Sequence, residues 1–220
     1  MVWIKICGIT SRHDAEAAAD MGADCLGFIF STDSPRRIGP DRAGEILEGL
    51  EGVSAAGVFV NEKIEKIKSH IDLLDLDHVQ LSGDEDIEYI IRLKHIAEKA
   101  IIIKALRLKK PADEGASKIV DKYLGYADFI LLDSYDRHQY GGTGKTMDWE
   151  KAKGIAEPGR IIISGGLYHG NVGKALGALD PFGVDASSRL ETSPGIKDLQ
   201  KVRKFIEVVR ILERQGQEKI

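Results

Sequence analysis

Cysteine is scarce in this 220-residue chain: Cys7 and Cys25 are the only two, and both lie in strand-like apolar segments. That excludes a disulfide-stapled scaffold and fits a cytoplasmic protein with reduced thiols. Aromatic residues make up only 6%, so a core has to be assembled from Ile, Leu, Val and Ala, as in parallel strands buried on both faces. No apolar run approaches the ~20 residues that cross a bilayer. Met1–Lys5 leads directly into a strand, without the charged and apolar regions of a signal peptide, so no membrane partner is expected. A formal net charge of −4 provides no basic stripe for a nucleic-acid backbone. The histidines lack metal-ligand spacing and no Cys/His cluster exists, so neither a metal nor any other cofactor is expected.

What the chain does have is repetition. Eight short apolar segments, Trp3–Cys7, Cys25–Phe30, Ala55–Val60, His78–Leu81, Ile101–Leu106, Phe129–Asp133, Ile161–Ser164 and Gly183–Ala186, start roughly 22 to 32 residues apart, the length of one strand–helix unit. Between them the period turns helical, as in Ile64, Ile67 and Ile71 or Leu199, Val202, Ile206 and Val209. Ser11, three residues before Asp14, reads as an approximate capping box, and Asn61 as the residue ahead of a Glu62–Leu74 helix. Strict β/α alternation demands a parallel sheet. Eight units, with no Gly-x-Gly-x-x-Gly after the first strand, favour closure over an open doubly wound sheet. The expectation is one (β/α)8 TIM barrel over residues 1–220, with no linker dividing it.

In such barrels chemistry sits at the C-terminal ends of strands. Cys7 ends the first strand and Gly8 follows it. A Cys there is either a small buried hydrophobe or a base whose pKa is lowered by the nearby start of the first helix. Cys25 starts the second strand, on the face that carries stability, and is assigned to packing. Asp133 follows four apolar residues and is costly to bury without a partner or a purpose. It is either a cap or loop ion pair, or a carboxyl kept protonated for use as a general acid. Ser164-Gly165-Gly166 and Asp185-Ala186-Ser187-Ser188 close the seventh and eighth strands, where backbone N–H groups commonly bind phosphate. Gly165, Gly166, Ser187 and Ser188 are therefore the candidate phosphate site. The loops after strands three and four, Asn61-Glu62 and Ser82-Gly83-Asp84, have no Gly-Gly pair, which argues for one phosphate rather than two. Gly141, Gly142 and Gly144 lack P-loop spacing and read as a lid. Arg36 is either solvated charge or a clamp for a substrate carboxylate. Lys5 and Lys104 either pair with Asp185 inside the barrel or snorkel outward.

Taken together, Lys5-Ile6-Cys7-Gly8-Ile9-Thr10, Gly57-Val58-Phe59-Val60-Asn61, Val79-Gln80-Leu81, Gly141–Thr146 with Asp148-Trp149, Ser164-Gly165-Gly166-Leu167 and Pro194–Asp198 resemble phosphoribosylanthranilate isomerases, in order along the whole barrel. The resemblance implies an Amadori rearrangement in tryptophan biosynthesis. It assigns Asp133 as the acid that opens the furanose and Cys7 as the base at C2. It places Arg36 on the anthranilate carboxylate, the phosphate on Gly165-Gly166 and Ser187-Ser188, and Asp185 near the ribose hydroxyls. The partner is then a small phosphorylated substrate, and the enzyme a monomer or homodimer. Three positions depart from the family pattern: Ser82 where His is frequent, Met147 for Phe, and Arg189 where a small residue is common. The alternatives are another phosphate-binding barrel enzyme, such as the histidine-pathway aminoaldose isomerase or an epimerase, and a non-catalytic sensor of a phosphorylated ligand.

Overall fold

Aliphatic runs too short to be helices pair here as eight parallel strands that close on themselves in sequence order. They are β1 (Trp3–Cys7), β2 (Cys25–Ile29), β3 (Ser54–Phe59), β4 (His78–Leu81), β5 (Ile101–Leu108), β6 (Phe129–Ser134), β7 (Ile161–Ile163) and β8 (Gly183–Ala186). The computed structural model describes residues 1–31, 33–108, 114–134, 149–152, 154–155 and 159–217. Closure sets Trp3 opposite Gly183 and Lys5 opposite Asp185. The glycine is required there, since a Cβ would lie 2.5 Å from the Trp3 carbonyl oxygen.

Helices α1 (Arg12–Asp20), α2 (Pro40–Leu47), α3 (Ile64–Leu74), α4 (Ile87–Ile96), α5 (Glu114–Leu124), α6 (Val172–Leu179) and α7 (Leu199–Gln217) surround the strands. After β6 the described residues contain a 3₁₀ turn, Trp149–Ala152. The outward strand residues, among them Ile4, Leu26, Val79, Ile102 and Ile130, form one core with helix residues such as Ala15, Ile67, Leu93, Val120 and Phe205. Each large side chain buried there contributes about 1.5–3 kcal/mol.

The strand boundaries agree with the expected ones to within two residues. Two details of capping do not. Ser11 accepts from the Asp14 N–H as an N-cap should, but the Asp14 carboxylate accepts from the Lys197 backbone N–H rather than closing a box. Asn61 does not lead into a helix: α3 begins at Ile64, capped by Lys63. Asn61 instead adopts a left-handed backbone, φ 49°, with its side-chain oxygen accepting from the Asp84 N–H at 2.7 Å. A short antiparallel hairpin after β8, β9 (Glu191–Ser193) with β10 (Ile196–Lys197), was not expected from the strand pattern.

Inside the barrel the side chains form layers. Trp3, His78, Phe129 and Phe182 plug the N-terminal end, with Phe129 and Phe182 stacked at 4.1 Å. Ile103, Ala105, Leu131 and Ile162 pack above them. Polar groups take over toward the C-terminal mouth.

Candidate active site

Because side chains alternate along a strand, Lys5 and Cys7 share the inner face of β1. Gly27 on the neighbouring strand makes room for both: a Cβ there would lie 2.8 Å from the Cys7 Sγ and 2.9 Å from the Lys5 Cε. Lys5 is fully buried and donates to Asp185 Oδ1 and to Gln80 Oε1, both at 2.8 Å. Gln80 in turn donates to the Ser82 hydroxyl at 3.0 Å, and the Ser164 hydroxyl donates to Asp185 Oδ2 at 3.2 Å. A continuous polar chain thus crosses the barrel from β7 to β4 as the floor of the mouth. Burial works against the Lys5 charge, but the Asp185 carboxylate outweighs it and holds the lysine protonated, with its pKa raised. Of the two placements open for Lys5, the structure has the inward pair with Asp185. Lys104 is buried on the opposite face of its strand and pairs with Glu85 at 2.7 Å.

Above this floor lies a cleft of about 250 Å³, room for one small metabolite rather than a polymer, lined by Cys7, Arg36, Asp133, Ser164, Asp185 and Ser187 among others. Going round the ring from β6 through β7 and β8 to β1, Asp133 and Cys7 are three strand steps apart, and both line this cleft. Both are buried. Burial pushes the Cys7 thiol up from its ordinary value, partly countered by the Lys5 ammonium. This corrects the lowered thiol expected from a nearby helix start: desolvation is the larger effect at this position. Cys25 is likewise pushed up by burial, to about 12, in keeping with packing.

Gly8 has φ 78°, and a Cβ there would lie 2.7 Å from Arg36 Cδ and 3.0 Å from Ser187 Oγ. The bare backbone lets the arginine stem cross over the tip of β1. Arg36 is 8% exposed, so it is not solvated charge, and its Nε and Nη2 fork onto Glu191 at 2.7–3.0 Å. On the β7–β8 side, Gly165 and Gly166 both have positive φ, 88° and 63°, a conformation costly for residues with a Cβ. The Asn171 side chain donates to the Gly166 carbonyl at 3.0 Å, pinning that turn. The Ser187 Oγ is buried without a hydrogen-bond partner among the described residues, and Ser188 opens a 3₁₀ turn, Ser188–Leu190. Arg189 lies over the Tyr168 ring at 5.8 Å, bridging the two loops. Gly141, Gly142, Gly144 and Met147 lie outside the described residues.

Gln80, Ser82 and Arg107 also line the cleft and were not singled out as site residues. Arg107 could have been found by extending β5, since it lies two positions beyond inward-facing Ala105 and opposite Asp133 in register. Glu191 and Lys197 were missed because the hairpin was; the Pro194-Gly195 dipeptide was its available turn signal.

The profile of the N-(5'-phosphoribosyl)anthranilate (PRA) isomerase family matches residues 4–208. An N-(5'-phosphoribosyl)anthranilate isomerase of Rubrobacter xylanophilus is 44% identical over 212 residues, which is 96% of this chain and all of the relative. The phosphoribosyl anthranilate isomerase of Thermotoga maritima superposes with a TM-score of 0.83 at 37% identity, covering 96% of this chain and 99% of that one. A similar enzyme, solved in complex with reduced 1-(o-carboxyphenylamino)-1-deoxyribulose 5-phosphate, has a TM-score of 0.78 at 35% identity, with 96% and 99% covered. With a closed eight-stranded barrel, a cleft at its mouth and likeness along nearly its whole length, this chain belongs to the phosphoribosylanthranilate isomerase family.

Proposed function

We propose that the protein isomerises N-(5'-phosphoribosyl)anthranilate to 1-(2-carboxyphenylamino)-1-deoxyribulose 5-phosphate, a step of tryptophan biosynthesis, by general acid–base catalysis at the cleft. The observation that carries this reading is a thiol and a carboxyl, Cys7 and Asp133, lining one cleft from strands three steps apart round the ring. Asp133 donates a proton to the furanose ring oxygen as the anilino nitrogen lone pair opens the ring to a protonated Schiff base. The Cys7 thiolate then takes the C2 proton, giving an enolamine. This ketonises as C1 gains a proton and the C2 hydroxyl loses one. The Lys5 ammonium beneath Cys7 offsets part of the cost of forming a thiolate in a buried site. Once formed, such a thiolate is a strong base.

The phosphate rests on the backbone of Gly165, Gly166 and Ser188 and on the Ser187 hydroxyl. Arg36 turns its remaining N–H groups to the anthranilate carboxylate, and Asp185 meets the ribose hydroxyls. Free cysteines support a cytoplasmic setting. Among the described residues no helix is long and apolar enough to cross a membrane.

Cys7→Ala and Asp133→Asn should each abolish turnover, by about 10²–10⁴-fold or more, with an unchanged circular-dichroism spectrum. Near wild-type rates from both variants would overturn the acid–base assignment. A binding-only sensor would show no turnover in the wild type either.

A further inference from the structure

Glu191 and Lys197 take no part in the chemistry above, yet both are charged and buried beside it, at 8% and 4% exposure. Taking such groups out of water is costly unless the geometry compensates. The Glu191 carboxylate accepts from Arg36 Nε and Nη2 and from Lys197 Nζ at 2.8 Å. Lys197 Nζ also donates to the backbone carbonyl of Cys7 at 2.6 Å, and the Lys197 N–H donates to Asp14 at 3.0 Å. One carboxylate therefore joins the guanidinium that faces the cleft to the strand tip that carries the thiol. The joint is held by the β9–β10 hairpin, whose turn is tied back by the Thr10 hydroxyl donating to the Gly195 carbonyl. The fork occupies Nε and Nη2, leaving the Nη1 side of the guanidinium for a ligand. Two cations share this one carboxylate, so the three side chains carry a net positive charge. An incoming carboxylate would neutralise it.

We propose that Glu191 and Lys197 are positioning residues that hold Arg36 in register with Cys7, so that one rigid unit presents the carboxylate clamp and the C2 base together. This rests on the reading of Arg36 as the carboxylate holder. The test uses two substrates made by condensing ribose 5-phosphate with anthranilate or with aniline, the second lacking the carboxylate. Steady-state kcat and KM are measured on both for the wild type, Glu191→Gln, Lys197→Met and Arg36→Met.

Glu191→Gln should raise KM for the anthranilate substrate about tenfold while kcat stays within about threefold. The aniline substrate should be indifferent to that change, and its turnover is the internal control for folding. Lys197→Met should lower kcat about tenfold on both substrates, because both use the thiol, and Lys197→Arg should recover part of that loss. Equal loss on both substrates in Glu191→Gln, or no loss on either, overturns the positioning role and leaves Glu191 a structural tie. If Arg36→Met separates the substrates and Glu191→Gln does not, only the positioning role falls. If Arg36→Met does not separate them, the assignment of Arg36 falls and takes the proposal with it.

Discussion

Two parts of the barrel mouth are built to one plan and used differently. Asn61 and Gly83 each stand two residues beyond a strand end, after β3 and β4; Gly165 and Ser188 hold the same offsets after β7 and β8. Asn61 and Gly165 share a left-handed backbone. At the β3–β4 rim the N–H groups of Asn61 and Gly83 converge on one oxygen of the Glu85 carboxylate, at 2.7 and 3.2 Å. Its other oxygen accepts from Lys104 at 2.7 Å. That rim is an anion cradle filled by the chain's own carboxylate. At the β7–β8 rim the paired glycines follow the strand with positive φ, and the Ser187 hydroxyl, buried and without a partner among the described residues, lines the cleft. Backbone donors at strand tips hold an anion at the first rim, and the proposed substrate phosphate would meet those at the second. This difference also supplies a stronger physical reason for expecting a single substrate phosphate than the missing Gly-Gly pair.

Glu85→Ala empties the filled cradle and strands Lys104, so unfolding free energy from urea titration should fall by about 3–5 kcal/mol, with kcat/KM within a few-fold of wild type. A large kcat/KM loss in a still-folded variant would show that this rim serves the reaction. Ser187→Asp does the converse and installs a carboxylate at the open rim. Repulsion of the phosphate by about 4 kcal/mol at ~4 Å should cut kcat/KM close to a thousandfold; an unaffected variant would place the phosphate elsewhere. Ser187→Ala removes only one hydrogen bond, worth about 1 kcal/mol, so KM should rise about fivefold.

The smallest effect concerns pH and the flank of the open rim. Burial of Glu191 opposes its charge, but bonds from Arg36 and Lys197 prevail and hold its carboxyl below the ordinary 4.5. Folding then gains stability above the unfolded value and loses it as pH falls through the lower, folded one. Wild-type stability should drop across that acidic window, and Glu191→Gln should flatten the slope, as read from thermal midpoints between about pH 5 and 3.

How much of this was legible in the sequence divides along the same lines. The strands were, because parallel strands buried on both faces need unbroken aliphatic runs such as Ile101–Ile103 and Ile161–Ile163. The places of Cys7, Asp133 and the Gly165-Gly166 pair near strand ends were, because the aliphatic run stops there. Glu85, Glu191 and Lys197 were not, because each acts by pairing with a group far along the chain. Glu191 meets Arg36 from 155 residues away, and no local pattern marks that partnership. The thiol's raised pKa was missed for a related reason: helix starts are visible in sequence, whereas burial depends on the closed fold.

The most direct measurement is a crystal structure of this protein with reduced 1-(o-carboxyphenylamino)-1-deoxyribulose 5-phosphate. The expected complex has its phosphate on the backbone of Gly165, Gly166 and Ser188 and on the Ser187 hydroxyl, its aromatic carboxylate on Arg36, and its C2 between the Cys7 sulfur and the Asp133 carboxyl. A ligand bound in the reverse sense, with its phosphate on Arg36, would contradict this arrangement, as would one whose C2 lies out of reach of Cys7.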